Sequence, residues 1–169
     1  MSKKFELTSN TKIFLGRKLF QIKALVSFED VKEGDFGGYI EKEENLSHDG
    51  DAWVYGNAKV CSNAEVCGNA KVCGDAEVSG NAWVSGDAEV YGNAWVYGDA
   101  DYTTIKGFGT EFRTTTFFKC KDGVTRVRCG CFYGDLNEFR EQVKNTRSGK
   151  IAEEYLMIAD LMEKHFKEE

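Results

Sequence analysis

Apolar residues recur through the middle of this chain with a period of six. Alanine stands at 52, 58, 64, 70, 76, 82, 88, 94 and 100, and valine at 54, 60, 66, 72, 78, 84, 90 and 96. Each unit reads Ala-x-Val and then x-Gly-Asn or x-Gly-Asp, with Ser62 once in place of glycine. Alanine and valine two places apart share one face of a strand, and the residue between them points the other way. Glycine before Asn or Asp turns the chain, because these residues tolerate left-handed backbone angles. A short strand and a turn every six residues cannot build an ordinary sheet. They can build a prism of three short faces with Ala and Val stacked inside, each coil burying its apolar edge against its neighbours.

The flanks follow other patterns. "KIFLGRKLFQIKAL" places apolar residues on both sides of Gly16-Arg17, as a hairpin does. In the lead-in "SFEDVKEGDFGGYIEKEENLS", Gly37-Gly38 marks a tight turn or a close backbone approach. Past Asp101 the period stops, and Asp122-Gly123 is a two-residue hairpin signal. It pairs Lys121 with Val124, Lys119 with Arg126, Phe117 with Arg128 and Thr115 with Gly130. Alternation then puts Arg113, Thr115, Phe117, Lys119, Lys121, Arg126 and Arg128 on one face. Thr114, Thr116, Phe118, Cys120, Thr125, Val127, Cys129 and Cys131 form the other, core-like face. Asp135 and Glu138 form a capping pair for a helix at about 135–145. After Gly149 a second helix, about 150–167, carries Ile151, Tyr155, Ile158, Met162 and Phe166 at helical spacing, a stripe for a core or a sister subunit.

Over about residues 45–105 the repeat resembles that of hexapeptide-repeat left-handed parallel β-helix proteins, in which three hexapeptides make one coil. The lead-in followed by "GDAWVYGNAKV" resembles a bacterial and phage group of acetyltransferase-like β-helix proteins, over about residues 19–100. The expected fold is therefore mainly β. It has an N-terminal hairpin and cap (1–44), a β-helix of about three coils (45–105), and a small C-terminal α+β domain of a hairpin and two helices (106–169).

The residues between Ala and Val stack eighteen apart, in columns Trp53-Lys71-Glu89, Lys59-Glu77-Trp95 and Glu65-Trp83-Asp101. Each face so carries one tryptophan among charges, which suits a subunit interface or an aromatic shelf for a planar ligand, the interface being favoured. The resemblance implies a trimer, and the columns with the tail stripe make Trp53, Trp83, Trp95 and Tyr155 the expected interface residues.

Charge is unevenly spread. The net −6 combines three basic and twelve acidic side chains over residues 39–102 with ten basic and five acidic ones over 103–150. The opening "MSKKFELTSNTK" is polar, no leader pattern is present, and no apolar run approaches a membrane span. Six cysteines without an export signal point to reduced thiols in a cytoplasm, that of a host cell if the gene is a phage's. Cys61, Cys67 and Cys73 fall on different faces of the prism, and Cys129-Gly130-Cys131 with Cys120 reads as small buried residues, so no metal is expected.

Hexapeptide-repeat acyltransferases use a histidine base, and this chain has only His48, in the irregular first unit, and His165, near the end of the last helix. The repeats run without the inserted loop that covers an acyl carrier in those enzymes. Catalysis is disfavoured, and no catalytic residue or cofactor is assigned. The hairpin offers more. Guanidiniums fit phosphates bidentately and an aromatic among them suits a planar ligand. Arg113, Thr115, Phe117, Lys119, Arg126 and Arg128 are the expected ligand-binding residues. The small patch and acidic whole exclude long nucleic acid, and "GFG" at 107–109 is too short for a phosphate loop. The expected function is a non-catalytic oligomeric binding protein for a small phosphorylated or nucleotide-like ligand, in a phage setting the sequestration of a host immune signal. A hexapeptide-repeat acyltransferase and a ligand-free assembly module are the alternatives.

Overall fold

Each hexapeptide forms one short strand and one corner. The computed structural model describes residues 2–167; Met1 of the expected cap and residues 168–169 of the expected C-terminal domain lie outside them. The chain begins with β1 (Phe5–Phe14), β2 (Arg17–Ala24) and β3 (Phe36–Ile40). The repeat supplies β4 (Trp53–Val54), β5 (Lys59–Val60), β6 (Glu65–Val66), β7 (Lys71–Val72), β8 (Glu77–Val78), β9 (Trp83–Val84), β10 (Glu89–Val90) and β11 (Trp95–Val96). Then come β12 (Tyr102–Ile105), β13 (Thr115–Lys119), β14 (Thr125–Cys129), β15 (Phe132–Asp135), α1 (Leu136–Thr146) and α2 (Gly149–Phe166).

The repeat strands pair in parallel eighteen residues apart, as β4–β7–β10, β5–β8–β11 and β6–β9. The result is a β-solenoid of about three turns, in a chain that is mainly β and ends in two helices. The repeat alanines from Ala52 to Ala94 and the valines from Val54 to Val96 are fully buried within it. At the corners Gly50, Gly56, Gly68, Gly74, Gly80, Gly86 and Gly92 have φ of +57° to +71°, and Ser62 takes the same angle at +61°. That is the conformation for which glycine carries no steric cost. Two of the expected columns stand. The third stops at Trp83, because Asp101 lies in a 3₁₀ turn (Asp99–Asp101) and accepts from the Tyr97 and Gly98 amides instead.

The N-terminal end is closed by the hairpin and lead-in. The turn between β1 and β2 is made by Leu15 and Gly16, both at positive φ, one residue earlier than the pattern predicts. β3 joins the solenoid by pairing in parallel with β5. Gly37-Gly38 is a close approach: a Cβ would lie 2.6 Å from the Val54 carbonyl at Gly37 and 2.6 Å from that of Ala58 at Gly38. The buried Asn45 side chain accepts from the Glu41 and Lys42 amides and donates to the Ser62 and Ala64 carbonyls, which satisfies the whole amide. Trp53 is corrected from outward anchor to core. It is 1% exposed, edge-on to Phe5 and Phe28, because the lead-in folds over its face.

The other end is closed by the C-terminal sheet, β12-β13-β14-β15, antiparallel throughout. β13 lies against β10 and β11, and fully buried Phe118 joins the solenoid core beside Cys120 and Tyr133. The opposite side of the sheet carries Phe117 and Val127 onto Phe139, Tyr155, Ile158 and Met162 of the helices. Tyr155 is thus also a core residue, which leaves Trp83 and Trp95, on different faces of the prism, as the exposed members of the expected interface. Among the described residues, no helix is long and apolar enough to cross a membrane.

Candidate functional site

The hairpin register decides which cations remain available. The turn between β13 and β14 holds three residues, Lys121, Asp122 and Gly123. The Cys120 amide donates to the Val124 carbonyl at 3.1 Å and the Gly123 amide to the Cys120 carbonyl at 2.9 Å, with Gly123 at φ +76°. Compared with a two-residue turn, this slides the pairing by one: Lys119 faces Thr125, Phe117 faces Val127 and Thr115 faces Cys129. A one-residue slip sends every side chain of β14 to the other side of the sheet. The single cationic face expected from the sequence is therefore corrected. Thr115 and Phe117 are buried toward the helices, while Arg126 and Arg128 share the solenoid side with Phe118.

Carboxylates of the solenoid, of the turn that follows it and of the hairpin itself then neutralise the cations. Arg128 Nε donates to Glu89 Oε2 at 3.0 Å, with the guanidinium 4.7 Å from the Tyr91 ring centre. Lys119 lies 3.2 Å from Asp101, Lys121 2.7 Å from Glu77, and Lys106 2.6 Å from Asp87. Arg126 clamps both oxygens of Asp122, at 2.7 Å each, and holds that carboxyl far below its ordinary range. The Glu89 amide donates to Thr116 Oγ1 at 3.0 Å. The acidic middle and the basic segment are largely matched to each other across the junction of solenoid and sheet.

Arg113 and Arg147 stand apart. Neither has an ion-pair partner among the described residues. Both line one cleft of about 140 Å³ between the loop before β13, the β14–β15 turn and the two helices. Its floor is apolar, with Phe108, Phe132, Phe139, Val143 and Tyr155. Its polar lining adds Thr110, Thr146 and Gln142, the thiols of Cys129 and Cys131, and one carboxylate, Glu111.

Local structure places each part. Asp135 accepts from the Glu138 amide and Glu138 from the Asp135 amide, both at 2.8 Å, which starts α1 as the sequence predicts. Arg147 caps the far end of α1, its amide donating to the Val143 carbonyl. Gly130 leaves room for Arg113, since a Cβ there would lie 2.5 Å from Nη1. The Tyr155 hydroxyl sits against Gly109 of the "GFG" stretch, which forms a wall of the cleft. Burial pushes the Tyr155 hydroxyl above its ordinary pKa, and the neighbouring Cys129 thiol pushes the same way. Arg147 and Arg113 both pull it down, so the two guanidiniums act on one point. Thr115 Oγ1 donates to Cys129 Sγ at 3.2 Å behind this floor.

Of the expected ligand residues, only Arg113 lines the cleft. In the sequence Arg147 is one cation in the polar break between the helices, and Tyr155 is one member of an apolar stripe, so neither carries a site signal there. Phe108 is the centre of "GFG", which is too short for a phosphate loop but brings its ring to the cleft. The histidines are elsewhere. His48 stacks on Phe5 at 4.3 Å and accepts the Lys4 amide at Nδ1, while His165 is exposed beside Phe166. Among the described residues, no three His, Cys, Asp or Glu side chains converge as metal ligands would. In comparisons with known proteins, no family model matches this chain and no curated protein matches it.

Proposed function

We propose that this chain is a non-catalytic binding protein for a small anionic ligand, held in the cleft between the C-terminal sheet and the helices. The supporting observation is the contrast among cations: Lys106, Lys119, Lys121, Arg126 and Arg128 are matched to carboxylates, whereas Arg113 and Arg147 flank an aromatic floor unpaired. Guanidiniums bind phosphate or carboxylate bidentately. Phe108 and Tyr155 offer ring surface for a planar group, which favours a nucleotide-like ligand. At about 140 Å³ the cleft takes one charged group and one ring, so a larger ligand extends past the rim. Sequestration of a nucleotide immune signal by a phage protein is the narrow form of this reading; it rests on analogy of size and pocket chemistry, and the resemblance of the repeat supplies only the phage setting.

Calorimetry against a panel of nucleoside mono-, di- and cyclic phosphates tests it. Arg113→Ala and Arg147→Ala are each expected to lose roughly ten- to a hundredfold in affinity, and Arg126→Ala to lose none. Salt weakens the binding. A ligand recovered after incubation is chemically intact. A panel without a binder, or unchanged affinity in both cleft variants, overturns the reading in favour of an assembly module.

A further inference from the structure

Helix α2 has a second apolar stripe. Tyr155, Ile158, Ala159, Met162 and Phe166 are buried against the rest of the domain. Met157 and Leu161 face outward instead, 70% and 56% exposed. The same line along the helix carries Lys150, Glu154 and Lys164, so the steps run four, three, four, three, the spacing of a helix-pairing seam. Glu154 lies 3.6 Å from Lys150, and Lys164 has no ion-pair partner among the described residues.

We infer that this stripe docks a second copy of the chain, with the two α2 helices antiparallel about a twofold axis that passes between the stripes at the level of Ala159, itself turned to the core. The charge order argues for that partner and that direction. Met157 and Leu161 are equidistant from Ala159, and so are Glu154 and Lys164. Turned end for end, Met157 packs on the partner's Leu161 and Glu154 meets the partner's Lys164, each contact occurring twice. On the flank, exposed Glu153 meets the partner's His165 by the same symmetry. Such a self-complementary patch is what a twofold interface requires. A parallel pair would set Glu154 on Glu154 and Lys164 on Lys164, which repels. One helix pair covers less than the roughly 1,200 Å² of standard interfaces, so the dimer is weak and concentration-dependent.

Sedimentation velocity on the full chain, from about 10 to about 500 μM, reads the association. The wild type shifts from monomer to dimer across that range. Glu154→Lys and Lys164→Glu each weaken it about tenfold, and Met157→Glu abolishes it. An equimolar mixture of the two charge variants associates again, as does the Glu154→Lys/Lys164→Glu double variant. Met157 and Lys164 are exposed and Glu154 is half-buried, and matching melting curves confirm that each variant is folded. A wild type that stays monomeric or forms a trimer overturns the inference. So does a dimer indifferent to the single reversals, or one that the double reversal leaves weakened.

Discussion

The Lys4 ammonium donates to the Ala52 carbonyl at 2.8 Å and to that of Gly50 at 3.1 Å, inside the N-terminal end of the solenoid. Burial drives this side chain down to about 8, against the upward pull of Asp51 and Asp49. In the unfolded chain it returns to the ordinary lysine range, near 10.5. Between those values the unfolded state holds a proton that the folded state lacks, so stability rises with pH. Below about 8 both states are charged and the burial penalty is present in full, up to about 3 kcal/mol. Urea melts of wild type and Lys4→Met are expected to diverge in favour of the wild type from pH 8 to 10. A constant difference across that range refutes the account.

Val72 lies at the centre of the solenoid core, fully buried, paired on both sides by Val54 and Val90. Val72→Ala is expected to cost about 2 kcal/mol by lost burial and the cavity left behind. Val72→Asp places a charge where no partner exists and prevents folding of the coils. Circular dichroism with thermal melts distinguishes the two. A folded Val72→Asp chain of near wild-type stability would contradict the packing.

Phe118 plugs the open end of the last coil. Phe118→Ala is expected to cost about 3–5 kcal/mol and to loosen the C-terminal sheet before the solenoid melts. Hydrogen exchange checks this through earlier loss of protection in β12–β15 than in β4–β9. Uniform loss would mean that solenoid and sheet unfold as one unit.

The register makes a covalent prediction. With Thr115 opposite Cys129, and its Oγ1 3.2 Å from the thiol, Thr115→Cys is expected to close a disulfide on mild oxidation. In a Cys131→Ser background, loss of two hydrogens by intact mass is the signature. A two-residue turn would put Gly130 there and leave the new thiol free.

Gly130 has φ +58° and borders the Arg113 guanidinium. Gly130→Ala strains the turn by about 1–2 kcal/mol. Its larger effect falls on the proposed site, since the flexible end of Arg113 yields to the new methyl. Anion affinity is expected to fall although every arginine remains, and calorimetry reads it. Unchanged affinity would show that Arg113 does not act from that position.

The solenoid was legible because its information is local and repeated. Ala-x-Val sets the buried face and Gly-Asn or Gly-Asp sets the corner, so the repeat itself states the eighteen-residue pairing. The capping box at Asp135 and Glu138 was legible because it too is local, and its three-residue spacing admits one geometry. The single Asp122-Gly123 turn carried no such redundancy. Two loop lengths fit it, and the difference of one residue reversed the direction of Arg126 and Arg128. Nothing in the one-dimensional order tells that Glu89 and Asp101 are the partners of Arg128 and Lys119, since those contacts form only when the sheet closes the solenoid. The lead-in likewise buried Trp53, whose place in the repeat equals that of exposed Trp83. Local pattern determined the coils. Which charges were consumed and which two arginines remained was decided by the docking of distant segments, because electrostatic pairing depends on distance in space and not on spacing along the chain.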